Sequence, residues 1–251
     1  MTTTSDLSYL QALDNPEEGE PTRSLLNLIE EQTLDLELAA FLVSHISRGA
    51  SFITGSGPGG IGKTTTKHAL LSFVPADLPF FKALPDKVSA VGEKKSCAIA
   101  DELSGGRPPT YLWGDDLRAF FALSQSGHIL TSTIHADNLD ETHSQIVGEN
   151  DVPSAQFRAI HLIVHICLEG GNPPERRIKD TTTRRIVNKI YYSDGSRDHQ
   201  LIYEDQKGLS DQAPRNPARE KHGRTFLEEM LQDQERSLAA VRQRFLAWNE
   251  A

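Results

Sequence analysis

The sequence predicts an α/β fold with a mainly parallel central sheet flanked by helices, plus a helix at the C-terminus. Three observations support this. Short apolar runs of β-type alternate with stretches of helical spacing. A glycine-rich loop joins one such run to one such stretch. The chain, at 251 residues, is long enough to bury a core without disulfide staples.

Taken in order, residues 1–22 are polar, carry PEEGEP (Pro16 to Pro21), and are expected to form a flexible acidic lead-in. From residue 23 to 48 the spacing turns helical, with Leu25, Leu26, Ile29, Leu34, Leu38, Phe41, Leu42 and Ile46 on the apolar face and Gly49 as C-cap. SFITG (51–55) is a short strand, and residues 64–73 form the next helix. Pro75, Pro79 and Pro85 break up the first half of the stretch 75–95. TYLW (110–113) is read as a strand and residues 116–126 as a helix that buries Leu117, Phe120, Phe121 and Leu123. HILTSTIHA (128–136) and HLIVHICL (161–168) are strands, and RRIVNKIYY with QLIYE forms a terminal hairpin. The expected organisation is therefore a core domain over 23–204, a polar linker over 205–222, and a C-terminal amphipathic helix over 223–251. That helix places Phe226, Met230, Val241, Phe245 and Trp248 near one face.

Composition excludes several classes. There are 26 Lys and Arg against 35 Asp and Glu, so the net charge is −9, which disfavours direct nucleic-acid binding. Two separated cysteines, Cys97 and Cys167, provide neither a disulfide framework nor a Cys-built zinc site. No apolar run approaches the roughly 18 residues a membrane span needs. MTTTSDLSYL has no basic n-region and no apolar h-region, so a cytoplasmic setting is expected. His161 and His165 alternate with apolar residues and are expected to be satisfied within the sheet.

The strongest signal is GPGGIGKTT, Gly57 to Thr65, which satisfies G-x-x-x-x-G-K-[ST] between a strand and a helix. Such a loop cradles phosphates because its glycines let backbone N–H groups approach them and the helix N-terminus adds partial positive charge. The expected binding residues are Gly57, Pro58, Gly59, Gly60, Ile61, Gly62, Lys63, Thr64 and Thr65. Lys63 bridges the outer phosphates and the Thr64 hydroxyl ligates Mg²⁺. The implied ligands are ATP and Mg²⁺.

Four stretches, in order, resemble the secretion ATPases that drive type II and type IV secretion, type IV pilus assembly and archaeal flagella. They are the helix ending at Gly49 with SFITGSGPGGIGKTT (Walker A), RPPTYLWGDDLR (107–118, similar to Walker B), SGHILTSTIHAD (126–137, similar to the T-G-H turn and His box), and HLIVHICLEGG with RRIVNKIYY. Together they span about residues 33–204. The resemblance implies a RecA-like P-loop NTPase motor domain that hydrolyses ATP. It also implies self-association or a ring with partner domains. A membrane platform or pilus/secretion machinery is the implied partner, and the setting is cytoplasmic or peripheral to the inner membrane through that partner. It gives Asp115, at the end of 110–113, the task of holding Mg²⁺ or orienting the attacking water, with Asp116 beside it and Arg118 organising that end. His135, at the end of the next strand, faces the γ-phosphate.

The chain departs from the family pattern at the carboxylates. The family's Asp-box strand has two candidate places here, 80–84 and 97–101, and neither offers the expected Glu-Asp. In the second, AIADEL (98–103), Ala100 stands where the Glu belongs and Asp101 is retained. The Walker B Glu is shortened to Asp115. Slow basal hydrolysis is therefore expected, with help from Asp101 and Glu102 if that segment lies against the phosphate loop. About 50 residues precede the loop, which fits a motor domain alone. Two other readings stay open. One is a regulatory P-loop switch that binds ATP to control a partner. The other is a small-molecule kinase with Arg176, Arg177, Arg184 and Arg185 as lid candidates.

Overall fold

The computed structural model describes residues 6–17, 21–92, 94–106 and 108–249. Arg107, and residues 1–5, 18–20 and 250–251 of the expected terminal segments, lie outside the described residues. The N-terminal part contains α1 (Asp6–Asp14), α2 (Leu25–Glu30), α3 (Leu36–Ile46), β1 (Phe52–Gly55) and α4 (Lys63–Leu71). Next come β2 (Phe80–Ala83), β3 (Cys97–Ala100), α5 (Gly114–Ala122), β4 (Ile129–Ile134), α6 (Leu139–His143) and α7 (Ser154–Arg158). The chain continues with β5 (Leu162–Leu168), β6 (Arg185–Tyr192), β7 (Gln200–Glu204), β8 (Gly208–Leu209), α8 (Pro217–Gln232) and α9 (Leu238–Asn249).

One sheet runs β2-β3-β4-β1-β5-β6-β7-β8. The first five strands are parallel, and β6 to β8 continue antiparallel as a meander. Every residue of β1, β3, β4 and β5 is buried, as expected of parallel strands covered on both faces. Along β1, Phe52 joins one core, which includes Phe41 of α3 and Leu70 of α4. Ile53 joins the other, with Phe120 and Phe121 of α5. The chain leaves β1 for the far edge at β2 and returns through β3 to β4, which inserts beside β1. The carboxyl ends of β1, β3 and β4 therefore open onto one crevice, where ligands bind in α/β sheets.

Several expected boundaries move. The lead-in is not featureless, because residues 6–14 are helical and bury Leu10. The first long helix divides into α2 and α3, since Gln32 takes a positive φ of 56° and Asp35 caps α3 by accepting from the Leu38 N–H at 2.7 Å. The expected linker holds β8, and α8 starts within it at Pro217, capped by Asn216. The long C-terminal helix is two helices, α8 and α9, packed through Phe226 and Phe245 with ring centroids 5.4 Å apart. TYLW is not a strand. Pro109 and Thr110 form a turn, and only Leu112 pairs, in a single bridge to Leu103. Two consecutive prolines before it remove donors and restrict the backbone. Both places proposed for the missing carboxylate strand are strands, β2 and β3, paired in parallel.

The chain's two ends are clasped together against α4. Asp14 accepts from the Leu238 and Ala239 N–H groups at 2.7 and 2.9 Å, capping α9. Arg242, fully buried, donates to Asp6 at 2.8 Å and to the carbonyls of Ser72 and Val74 just past α4. Arg242→Ala strands a carboxylate and several carbonyls. It is expected to cost about 3–5 kcal/mol of stability, read as a lower urea midpoint with an unchanged slope.

Candidate functional site

The phosphate loop runs from the end of β1 into α4. The Thr54 hydroxyl donates to the Lys63 carbonyl at 2.9 Å, tying strand to helix beneath the loop. Gly57 lies so close to Asp137 that a Cβ there would come within 2.2 Å of Asp137 Oδ2. Its N–H donates to Asp137 Oδ1 at 2.7 Å, and Asn172 joins Asp137 to the Ser56 hydroxyl. Gly60 has φ +80°, and a Cβ on it would meet the Ile178 carbonyl at 2.5 Å, so only glycine fits there. Pro58 and Ile61 are buried beneath the loop, whereas Thr64 is exposed at the first turn of α4 and Thr65 half-buried. The β5–β6 connection crosses the loop as a strap. Gly59 N–H donates to the Arg176 carbonyl at 2.8 Å, and Ile178 N–H to the Gly59 carbonyl at 2.9 Å.

Lys63 is 5% exposed and donates to the carbonyls of Ser56 and Pro58, both at 3.3 Å. Register brings the other groups to it. Gly55 of β1 pairs with Ile134 of β4, so His135 emerges beside Ser56. Leu103 bridges Ile134, so Glu102, just beyond β3, emerges beside Thr133. His135 donates from Nδ1 to the Gly57 carbonyl at 2.7 Å, and its Nε2 stands 2.9 Å from Glu102 Oε1; Lys63 Nζ stands 3.1 Å from Nδ1. The Thr133 hydroxyl reaches Glu102 Oε2 at 3.2 Å.

The electrostatics arise from these contacts. The hydrogen bond to Glu102 holds the His135 imidazole above its ordinary value, against burial and the Lys63 charge. Burial pushes the Glu102 carboxyl up, but hydrogen bonding and charge from His135, with Lys63 and Thr133, outweigh it and keep Glu102 below its ordinary value. Burial pushes Lys63 down, partly offset by Glu102 and Asp137. The crevice thus gathers Lys63, His135 and one carboxylate at the loop's mouth, an arrangement suited to a polyanion next to a reacting water.

Of the carboxylates named from the sequence, Glu102 joins this group, and Asp115 and Asp116 do not. Asp115 sits at the start of α5 with its side chain 97% exposed and paired to Arg118. Asp116 accepts from the Asp86 N–H at 2.9 Å, and Arg118 donates to the Asn150 carbonyl at 2.9 Å. Past the Leu103–Leu112 bridge the chain turns off the sheet edge at Gly114 (φ +58°), which carries Asp115 into solvent. Asp115, Asp116 and Arg118 are bonded among themselves and to Asp86 and Asn150, and none of them has a bond to Lys63, His135 or Glu102 among the described residues. The carboxylate at the strand end is Glu102. Sequence reasoning also assigned no role to Asp137, Asn172 or Gln145, whose amide donates to the His135 carbonyl at 2.7 Å. Asp137 lay in the SGHILTSTIHAD stretch, the only signal that pointed to it.

A buried lysine at the mouth of a glycine loop with an exposed hydroxyl beside it is chemistry that would suit a magnesium nucleotide. Among the described residues no group of three or more His, Cys, Asp or Glu side chains is placed to hold a metal. A Mg²⁺ carried by a nucleotide does not require such a cluster, and the Thr64 hydroxyl, exposed at the first turn of α4, would be available to it.

No protein-family model matches the chain, and no curated protein matches its sequence. Among solved structures the chain is similar to the VirB11 ATPase of the Brucella suis type IV secretion system, in complex with sulphate. The identity is 16% and the TM-score 0.44, over 66% of this chain and 54% of that one. It is also similar to the Legionella pneumophila ATPase DotB, at 12% identity and a TM-score of 0.41, over 96% of this chain and 61% of that one. The chain therefore spans between 54% and 61% of the length of these structures.

Proposed function

We propose that this chain is an ATP-binding, ATP-hydrolysing P-loop motor domain of the kind found in secretion and type IV pilus assembly ATPases. The observation that carries this reading is the convergence of Lys63, His135 and Glu102 over a glycine-built phosphate loop, at distances of 2.9 and 3.1 Å. The four family-like stretches support it independently, since two of them supply Lys63 and His135. Residues 57–65 bind the phosphates, with Lys63 neutralising their charge and Thr64 completing the shell of the Mg²⁺, which supplies further charge neutralisation at the outer phosphates. Glu102 orients the attacking water and accepts its proton. His135 holds Glu102 through Nε2 and the loop through Nδ1, so it relates the carboxylate to the state of the phosphate site.

The slow basal hydrolysis expected from the sequence belongs to the same proposal: neither strand end carries the family's Glu-Asp, and Glu102 is the carboxylate left to help. Assembly into a ring, with copies of this chain or with partner domains, and docking to a membrane platform belong to the same proposal. Among the described residues no helix is long and apolar enough to cross a membrane. The reading is tested on His135→Ala. ADP affinity is expected to stay within a few-fold while turnover falls about tenfold or more. Wild-type turnover in that variant would make His135 a structural residue and remove the central observation.

A further inference from the structure

Lys67 lies one helical turn beyond Lys63 on α4 and is 1% exposed. Among the described residues it has no carboxylate within ion-pair distance. Its ammonium donates instead to the carbonyls of Ala100 at 2.8 Å and Asp101 at 3.4 Å. Those are the last residue of β3 and the first after it, immediately before Glu102. The Asp101 carbonyl takes a second donor, the Thr133 hydroxyl, at 2.9 Å, and the Asp101 carboxylate pairs with Lys82 of β2 at 3.2 Å. Asp101 is therefore held at its carbonyl from α4 and β4 and at its carboxylate from β2. Glu102 is the next residue, and its own carbonyl is taken by the Leu112 N–H at 3.0 Å.

A buried ammonium is a costly way to hold two peptide carbonyls, because burial strips its water, and a neutral donor would serve them without a buried charge. Burial pushes Lys67 down to about 8. What the charge achieves is a fixed link between two parts of the crevice: the helix that begins with Lys63, and the strand end that carries Glu102. Both lysines stand on one helix face four residues apart, so a rigid α4 sets the spacing between phosphate cation and carboxylate.

We infer that Lys67 is a positioning residue that places the Glu102 carboxylate relative to the phosphate loop by holding the Ala100 and Asp101 carbonyls. The inference rests on the reading of Glu102 as the water-orienting carboxylate. A carboxylate misplaced by about an ångström loses on the order of 10²-fold in rate, since positioning carries much of phosphoryl transfer.

The test is Lys67→Met in the full chain, alone and combined with Glu102→Gln, with ATP turnover and ADP affinity measured in each. Turnover is expected to fall about 10²-fold, with KM for ATP and ADP affinity within about threefold of wild type, a factor smaller than one kcal/mol. The double variant is expected to be no slower than Glu102→Gln alone, because a lysine that acts only through Glu102 has nothing left to position. Losses that multiply in the double variant, a KM that rises as far as kcat falls, or turnover within twofold of wild type in folded Lys67→Met would each overturn the inference. If Lys67→Met does not fold, Lys67→Gln, which keeps a neutral donor on a shorter stem, is judged by the same criteria. Loss of nucleotide binding in Lys63→Ala beside a silent Lys67→Met would overturn this inference and leave the phosphate-loop reading standing. Unchanged binding in Lys63→Ala would overturn both.

Discussion

Lys63→Ala is expected to abolish measurable Mg-ATP and ADP affinity while the circular dichroism spectrum stays that of the wild type. Lys63 is the sole side-chain cation of the 57–65 loop. It is almost fully buried, and burial already disfavours its charge. That penalty is offset in part by two loop carbonyls and by Glu102 and Asp137. In the proposed function the nucleotide's phosphates supply the larger compensation. Truncating one partner of such a desolvated charge pair costs about 2–5 kcal/mol, which moves a micromolar site to between roughly 30 μM and 5 mM, its upper part beyond calorimetric detection. The fold tolerates the change because the Lys63 backbone, rather than its side chain, bonds Thr54. Titration calorimetry decides it, and affinity unchanged in a folded variant would refute the phosphate-loop assignment.

The second large effect is expected at Glu102. Glu102→Gln keeps the size and one acceptor oxygen for His135 but removes the base, so turnover should fall by roughly 10²–10⁴. Nucleotide affinity should stay within a few-fold. Asp115→Asn should be close to wild type, because that carboxylate is 97% exposed and spends its charge on Arg118. Single-turnover hydrolysis of both variants separates the alternatives. The reverse pattern, an active Glu102→Gln and an inactive Asp115→Asn, would mean that the catalytic acid has been misplaced.

The contrast between Glu102 and Asp115 shows how far this crevice was legible. The loop could be read because its chemistry depends on glycines and a lysine at fixed spacing. The strand before His135 could be read because it is a continuous apolar run. Strand β3 could be read only as one of two candidate places for the family's carboxylate strand, since CAIA contains two alanines and no aromatic, and nothing local distinguishes it from a helix fragment. Its identity comes from pairing with β2 and β4, which are distant in sequence. TYLW has the composition of a strand and lacks a partner, so propensity misled there. Helix α1 was missed for a related reason. Its one buried side chain, Leu10, makes a faint pattern, and its stability comes from α9 at the other end of the chain. The strap's bonds to Gly59 use only backbone atoms, which leave no trace in side-chain spacing.

The clasp between the chain's ends has a mechanical consequence. Helix α4 has nine residues and so spans about 13 Å. Its first turn belongs to the phosphate loop, and the carbonyls just past its last turn are gripped by Arg242. Arg242 is also the anchor between α1 and α9, through Asp6. A tether pulling on either of these helices therefore loads the base of α4, a stiff rod whose other end begins at Lys63 of the 57–65 loop.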